Sequence, residues 1–150
     1  MTDQKGFTLL EVLVAVLVLA IGLLGLAGLQ AASLRVNQSA LARSQATNLA
    51  YDIADRIRAN RSAARSGGYD GQALETNPAS CTVVDPSGTL AERDIAFWRN
   101  AIACTLPLGT GSIARIDNPN DDPDNFTIVI QWDDTRGQST PQQFSMVTDL

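Results

Sequence analysis

The apolar residues of this chain are concentrated near its N-terminus. Residues 12–29 carry no charged or amide side chain, and only three glycines interrupt the run. As an α-helix, these eighteen residues would span about 27 Å, close to the thickness of a bilayer's hydrocarbon core. A polar leader of six residues precedes the apolar stretch. The pattern therefore predicts a membrane-anchoring helix followed by one soluble domain.

The helical pattern continues beyond the apolar run. It predicts a helix from near Thr8 to about Arg65, where Ser66-Gly67-Gly68 marks the end. The outer half repeats apolar residues in steps of four, seven and eight, with alanines beside them: Leu34, Leu41, Leu49, Ile53 and Ile57, flanked by Ala42, Ala46 and Ala50. We expect this stripe to pack on the sheet of the soluble domain.

The remaining residues predict a short helix and a small sheet. Thr89-x-x-Glu92 is a capping box, which opens a helix that ends near Cys104. Alternating apolar and polar residues predict three antiparallel strands, at 112–116, 126–132 and 142–148. The predicted fold class is α+β: a long N-terminal helix, transmembrane in its first half, packed on a small antiparallel β-sheet with a short second helix.

Composition excludes several kinds of site. The chain has 150 residues, a net charge of −5, no histidine and two cysteines. These numbers exclude a His-based triad, His-ligated metals and a four-cysteine zinc site. An acidic chain is also unlike a dedicated nucleic-acid binder. No base, oxyanion donor or phosphate-binding loop is recognisable, so we expect no enzyme, no cofactor and no nucleic-acid partner.

Residues 117–125 are rich in Asp, Asn and Pro. Such hard oxygen ligands suit Ca²⁺, but the order of residues in an EF-hand loop is not met. The same residue types are common in turns. We therefore assign no metal to this segment.

Cys81 and Cys104 are the only thiols. They lie in the part expected outside the cytoplasm, where disulfides persist. A bridge between them would contribute about 3 kcal/mol by the chain-entropy model and would pin the end of the short helix. The alternative is two buried free thiols.

Glu11 stands within the first apolar turns. A carboxylate there is costly unless it is paired or close to the membrane interface. Thr8-x-x-Glu11 also fits a capping box, in which the glutamate would only satisfy backbone N–H groups. Both interpretations stay open at this stage.

The order of Lys5, Gly6, Phe7 and Glu11 before a span-length apolar run closely resembles the class III signal of type IV pilins and pseudopilins. In that family a prepilin peptidase cuts after the glycine and methylates the new N-terminus. The resemblance implies cleavage between Gly6 and Phe7 and N-methylation of Phe7. It also implies that Glu11 neutralises the N-terminal amine of a neighbouring subunit during assembly.

Residues 20–30 and 46–61 further resemble the PilV group of minor pilins. The resemblance implies a type IV pilin fold and a role in priming pilus assembly, at or near the tip. The implied partners are the prepilin peptidase, other minor pilins, the major pilin and inner-membrane lipid, with a tip adhesin as a further candidate. The implied location is the inner membrane, with the globular domain in the periplasm, and then the pilus on the cell surface.

These expectations divide the chain into four parts: a leader at 1–6, an anchor and assembly half-helix at 7–29, an amphipathic half-helix at 30–65 and a periplasmic domain at 66–150. Two alternatives share the N-terminal pattern. One is a minor pseudopilin of type II secretion, and the other is a signal-anchored periplasmic binding domain. Lys5 on one side of the run and Arg35 and Arg43 on the other leave the orientation open by charge alone.

Overall fold

A computed structural model of the chain describes residues 6–76, 80–82, 85, 87–116, 125–135 and 137–150. The chain divides into two compact units, Met1–Gln38 and Ser39–Leu150. The elements are helices α1 (Leu9–Ala59), α2 (Arg61–Arg65) and α3 (Leu90–Thr105), and strands β1 (Thr110–Ile116), β2 (Asn125–Trp132) and β3 (Gln142–Asp149). The long apolar helix and the small sheet confirm the predicted α+β class and fit the pilin fold.

The three strands form one antiparallel sheet in the order β1-β2-β3. Ile128 of the central strand lies between Ile113 of β1 and Met146 of β3. Alternate residues of β2 are buried: Phe126, Ile128, Ile130 and Trp132. One face of the sheet therefore belongs to the core, as a period of two requires. Each strand lies within two residues of its predicted bounds.

Alanine and isoleucine, rather than leucine, form the buried face of α1 in the second unit. Its buried residues are Ala42, Ala46, Ala50, Ile53, Ala54 and Ile57. The predicted stripe is wrong at two positions, because Leu34 and Leu41 are 62% and 58% exposed. Leu41 precedes Ala42 and so stands about 100° away around the helix. Leu34 belongs to the first unit, so the core of the second unit does not include it.

The predicted single helix to Arg65 is interrupted. Asn60 has φ −113° and ψ 52°, which separates α1 from α2. Its side-chain Nδ2 donates to the Tyr69 hydroxyl at 3.2 Å. The helical pattern of the sequence continues through Asn60 and so does not reveal this contact. The predicted end at residues 66–68 is confirmed: Gly67 has φ +84° and the Gly68 N–H donates to the Ala63 carbonyl at 2.8 Å. This is a Schellman ending, in which glycine takes the left-handed conformation.

Helix α3 packs on α1 and on β1 through Trp98, which is fully buried. The indole Nε1–H donates to the Leu49 carbonyl of α1 at 2.9 Å. On the other side, Gly111 of β1 leaves room for the ring and for Ile102. A Cβ at Gly111 would lie 2.7 Å from Ile102 Cδ1. The glycine therefore sets how closely α3 approaches the sheet.

A buried carboxylate, Asp94, ties α1 and α3 together. Arg56 Nη1 donates to its Oδ1 at 3.1 Å, and the Tyr69 hydroxyl donates to its Oδ2 at 2.6 Å. Burial, and then the hydrogen bond to Asp94, raise the pKa of Tyr69 to about 12, so this hydroxyl stays a donor at neutral pH. The hydrogen bond to Asp52 is the main cause that raises the pKa of Arg56. Asp94 is the buried member of this pair, whereas the Arg56 side chain is 37% exposed, and the buried carboxylate has the two partners that burial of an ion requires.

Candidate functional site

The site that the sequence predicts lies at the start of the first unit. Every described residue from Gly6 to Gln38 is exposed on this chain. Phe7 is 84% exposed. By length and composition α1 includes a candidate membrane span, and none of that 18-residue window is buried within the protein. A helix with apolar residues on all sides needs lipid or other helices around it.

The predicted cut lies in a short stretch without regular secondary structure before α1. Gly6, Phe7 and Thr8 are outside the helix, which begins at Leu9. A Cβ on Gly6 would meet no other atom within 4 Å. Gly6 and Phe7 are therefore both exposed on this chain. Lys5 and the rest of the predicted leader lie outside the described residues.

Thr8 caps α1 from one side only. Its Oγ1 accepts from the Glu11 N–H at 3.3 Å, and its carbonyl accepts from the same N–H at 3.0 Å. Within the described part of the chain, no hydrogen bond or ion pair reaches the Glu11 carboxylate. The threonine half of the predicted capping box is present, and the glutamate half is not. The carboxylate of Glu11 therefore stays exposed on the first turns of an apolar helix.

The second Thr-x-x-Glu segment closes fully. Thr89 Oγ1 accepts from the Glu92 N–H at 3.3 Å, and the Thr89 N–H donates to Glu92 Oε2 at 2.7 Å. These contacts, led by the backbone hydrogen bond, lower the pKa of Glu92. Both glutamates stand three residues after a threonine, but among the described residues only the Glu92 carboxylate bonds to its threonine.

Comparison with known proteins identifies the N-terminal pattern. Residues 1–27 match the family model of the prokaryotic N-terminal methylation motif. The match supports a type IV pilin-like protein. It implies processing by prepilin peptidase and assembly with other pilins, and it suggests a structural subunit instead of an enzyme. Together with the apolar helix, the motif fits an inner-membrane anchor.

A search of curated proteins and a search of solved structures each gave no significant match. The matched segment includes the predicted cut at Gly6 and Phe7 and the carboxylate of Glu11. The structure places all three in the exposed segment that begins the first unit. The functional interpretation accordingly concentrates on that segment.

The other predicted positions lie in or next to the second unit's fold. Cys81 and Cys104 are joined by a disulfide, both on exposed positions. The Thr82 N–H donates to Asn100 Oδ1 at 3.1 Å. The disulfide and this hydrogen bond both connect the segment around Cys81 to α3. Of the acidic segment considered for calcium, only Asn125 is described, and residues 117–124 lie outside the description. The described residues contain no group of three His, Cys, Asp or Glu that could hold a metal ion.

Sequence reasoning missed the buried Asp94. A signal was present, because Asp94, Trp98 and Ile102 follow one another in steps of four and so share a helix face. That face is the buried one. A carboxylate on it requires a cationic partner, which Arg56 supplies.

Proposed function

We propose that this chain is a minor pilin of the PilV group that takes part in priming type IV pilus assembly with other minor pilins, at or near the tip. One observation carries the proposal. The methylation motif is followed by an apolar helix with no partner in its own unit, and Glu11 at its start has no use within the described chain. Both features suit a subunit whose neighbours cover its apolar helix and pair with its carboxylate.

In this proposal the leader at 1–6 is removed and the Phe7 amine is methylated. The half-helix at 7–29 holds the subunit in the inner membrane before assembly, the half-helix at 30–65 leads outward, and the domain at 66–150 lies in the periplasm. The Cys81–Cys104 disulfide suits that oxidising compartment. On assembly the subunit leaves the lipid and joins the pilus on the cell surface.

Glu11 is the proposed assembly carboxylate. An unpaired carboxylate and an unpaired amine are each costly in lipid or among packed helices. When Glu11 of one subunit meets the methylated Phe7 amine of its neighbour, each charge gains a partner in a low-dielectric setting. The half-closed cap at Thr8 supports this role, since the helix start is capped without the carboxylate.

Processing at Gly6 provides the test. In Gly6→Val a branched side chain at the cut position should obstruct the peptidase, so the full-length precursor should accumulate in the membrane. Gly25→Val is the matched control, because a Cβ there also meets nothing within 4 Å yet lies far from the cut. Intact mass and N-terminal sequencing should find methylated Phe7 in wild type and in the control only. Mature protein of normal mass from Gly6→Val would overturn the assignment.

The pilus role has its own test, because type II pseudopilins share the signal. Deletion of the gene should reduce surface pili severalfold and leave secretion of extracellular enzymes unchanged. Sheared pili from wild type should contain the processed chain. Normal piliation combined with a secretion defect would place the protein in a type II secretion system instead.

A further inference from the structure

The two edges of the sheet differ in whether their outward backbone groups have hydrogen-bond partners. The outer edge of β1 is occupied, because Gln72 and Ile113 exchange two backbone hydrogen bonds of 3.1 and 2.8 Å. Further along, the Arg115 N–H donates to Asp70 Oδ1 at 2.8 Å. Strand β3 forms the other edge and pairs only with β2 among the named strands.

The pairing of β1 determines which residues of β3 point their backbone N–H and C=O groups toward β2 and which point them outward. Since the N–H and C=O of Ile113 point outward to Gln72, those of its partner Ile128 point to β3. Ile128 faces Met146, so Met146 bonds inward. Its alternate neighbours Ser145 and Val147 then present their N–H and C=O groups outward, as does Gln143.

Independent contacts agree with this alternation. The Asp149 carbonyl, which by the same count points outward, accepts from Arg58 Nε at 3.3 Å. This contact closes the C-terminal end of the edge. Within the described residues, no hydrogen bond reaches the outward backbone groups of Gln143, Ser145 or Val147. Among the described residues, the short stretch 143–147 is therefore an open β-edge.

The open edge lacks the usual protection. Strand β3 contains no proline, glycine or lysine, and its single charge is Asp149 at the closed end. Gln143 and Ser145 are exposed, and Val147 is 58% exposed. Natural sheets normally defend such an edge with charges, bulges or a covering segment. An undefended edge with alternating donors and acceptors is a template for another polypeptide strand.

We infer that residues 143–147 of β3 bind an extended segment of a neighbouring, non-identical subunit by β-strand addition. The inference rests on the proposed function, which supplies such a subunit. The partner strand pairs with the outward groups of Gln143, Ser145 and Val147 and places an apolar side chain on Val147. It carries a carboxylate near the start of β3, because Arg43 lies there, 3.0 Å from Gln142 Oε1, with no ion pair among the described residues.

A second copy of this chain does not suit the edge. Arg43 lies at Gln142 and Arg58 lies at Thr148, so α1 in the second unit runs in the same direction as β3. Two copies joined by antiparallel β3 strands would have this part of α1 in opposite directions. In the proposed function, the second units of identical subunits in one pilus share a single direction, so an antiparallel pair of copies does not fit and the partner is a different chain.

Amide hydrogen exchange at single-residue resolution tests the inference on the full-length protein. Three preparations are compared: the chain in detergent, the chain in native membranes and the chain in sheared pili. The amides of Gln143, Ser145 and Val147 should exchange rapidly in detergent and at least tenfold more slowly in pili. Phe144 and Met146, which bond to β2, should be slow in all three, and this alternation is the signature of strand pairing.

Variants connect the protection to the edge. Val147→Lys places a charge on the open edge and should lower both the protection and the amount of chain in pili at least fivefold. Ala114→Lys is the matched control, because Ala114 is exposed on the same sheet face but belongs to the occupied edge. Arg43→Gln should reduce the protection two- to fivefold, and Arg43→Lys should restore most of it.

The outcomes separate the two proposals. Absence of the chain from pili contradicts the pilus role, and the edge is then judged in native membranes by the same exchange measurement. No protection of the odd-numbered amides in either membranes or pili overturns the edge inference. Protection already present in detergent, together with a homodimer, overturns the choice of a non-identical partner.

Discussion

Glu11 and Glu92 each stand three residues after a threonine at the start of a helix, yet only Glu92 returns to its threonine. Around Glu92 the chain satisfies its own groups: α3 buries Trp98 and Ile102, and Asp94 has two partners. Around Glu11 neither the carboxylate nor the apolar surface is satisfied by the described chain. The comparison teaches that an identical local motif acquires its role from what surrounds it.

The same contrast appears between glycines of the apolar helix and glycines packed against α3. Glycines of the first unit, Gly22, Gly25 and Gly28, have nothing within 4 Å of an added Cβ. Gly109 and Gly111 of the second unit would bring a Cβ within 3 Å of α3 side chains. Changes in the first unit should therefore affect assembly, and changes in the core of the second unit, as distinct from its open β-edge, should affect folding. Each prediction below separates these two effects.

Glu11→Gln should give the largest effect. The methylated Phe7 amine of the neighbour would lose its counter-charge in a low-dielectric setting, which costs several kcal/mol. The amount of chain in sheared pili should fall at least tenfold, while cleavage and the melting temperature of the second unit stay unchanged. Glu92→Gln is the matched control and should enter pili at normal levels.

A silent Glu11→Gln would contradict the assembly role of this carboxylate. Glu11→Asp should be intermediate, because the charge is kept but its reach is shorter. Quantitative immunoblots of pili and membranes measure all three variants.

Removal of the disulfide should give the next largest effect, and it should act on folding alone. Replacing Cys81 and Cys104 together by serine should lower the free energy of unfolding by about 3 kcal/mol, because the unfolded chain loses its closed loop. Thermal unfolding of the processed protein in detergent, with and without reductant, measures this. Identical melting curves for the variant and the oxidised wild type would contradict the prediction.

Gly111→Ala should destabilise the second unit by about 2 kcal/mol. The new methyl group would lie 2.7 Å from Ile102 Cδ1 and also against the Trp98 ring, and overpacked cores lose stability. Gly25→Ala makes the same chemical change in the first unit and should leave the unfolding curve unaltered. Equal curves for wild type and Gly111→Ala would mean that α3 relaxes away from β1 at no cost.

The sequence was a good guide wherever one residue pattern had one physical meaning. Period-two alternation located β2, and the full Thr89–Glu92 cap located the start of α3. It was a poor guide to the face of α1 that is buried, because Leu41 and Ala42 are both apolar and only packing decides between them. The break at Asn60 was missed for a similar reason, since the contact with Tyr69 joins residues that no helical period links.

The candidate site could be located from the sequence, but the contacts of its side chains could not. The order of Gly6, Phe7 and Glu11 is visible in the sequence, and the motif match includes it. Whether a Thr-x-x-Glu cap closes depends on where the side chain turns, which spacing alone does not determine. The open edge of β3 could not be predicted from the sequence either. Which strand lies at an edge depends on the order of the strands in the sheet.

The smallest effect should come from the closed cap, and pH reveals it. The hydrogen bonds from Thr89 lower the pKa of Glu92 below its ordinary value of 4.5. The cap's charge-dependent stabilisation is therefore complete above the unfolded pKa and is lost as the pH falls through the lower folded pKa. Glu92→Gln keeps an acceptor but cannot titrate, so its melting temperature should lie slightly below wild type at pH 7. The two proteins should converge once the pH is below the lowered pKa of folded Glu92. Thr89→Ala, which removes the other half of the cap, should cost about 1 kcal/mol at pH 7. Parallel melting curves of wild type and Glu92→Gln from pH 7 to pH 3, with a constant difference between them, would show that the charge of Glu92 contributes nothing to the helix.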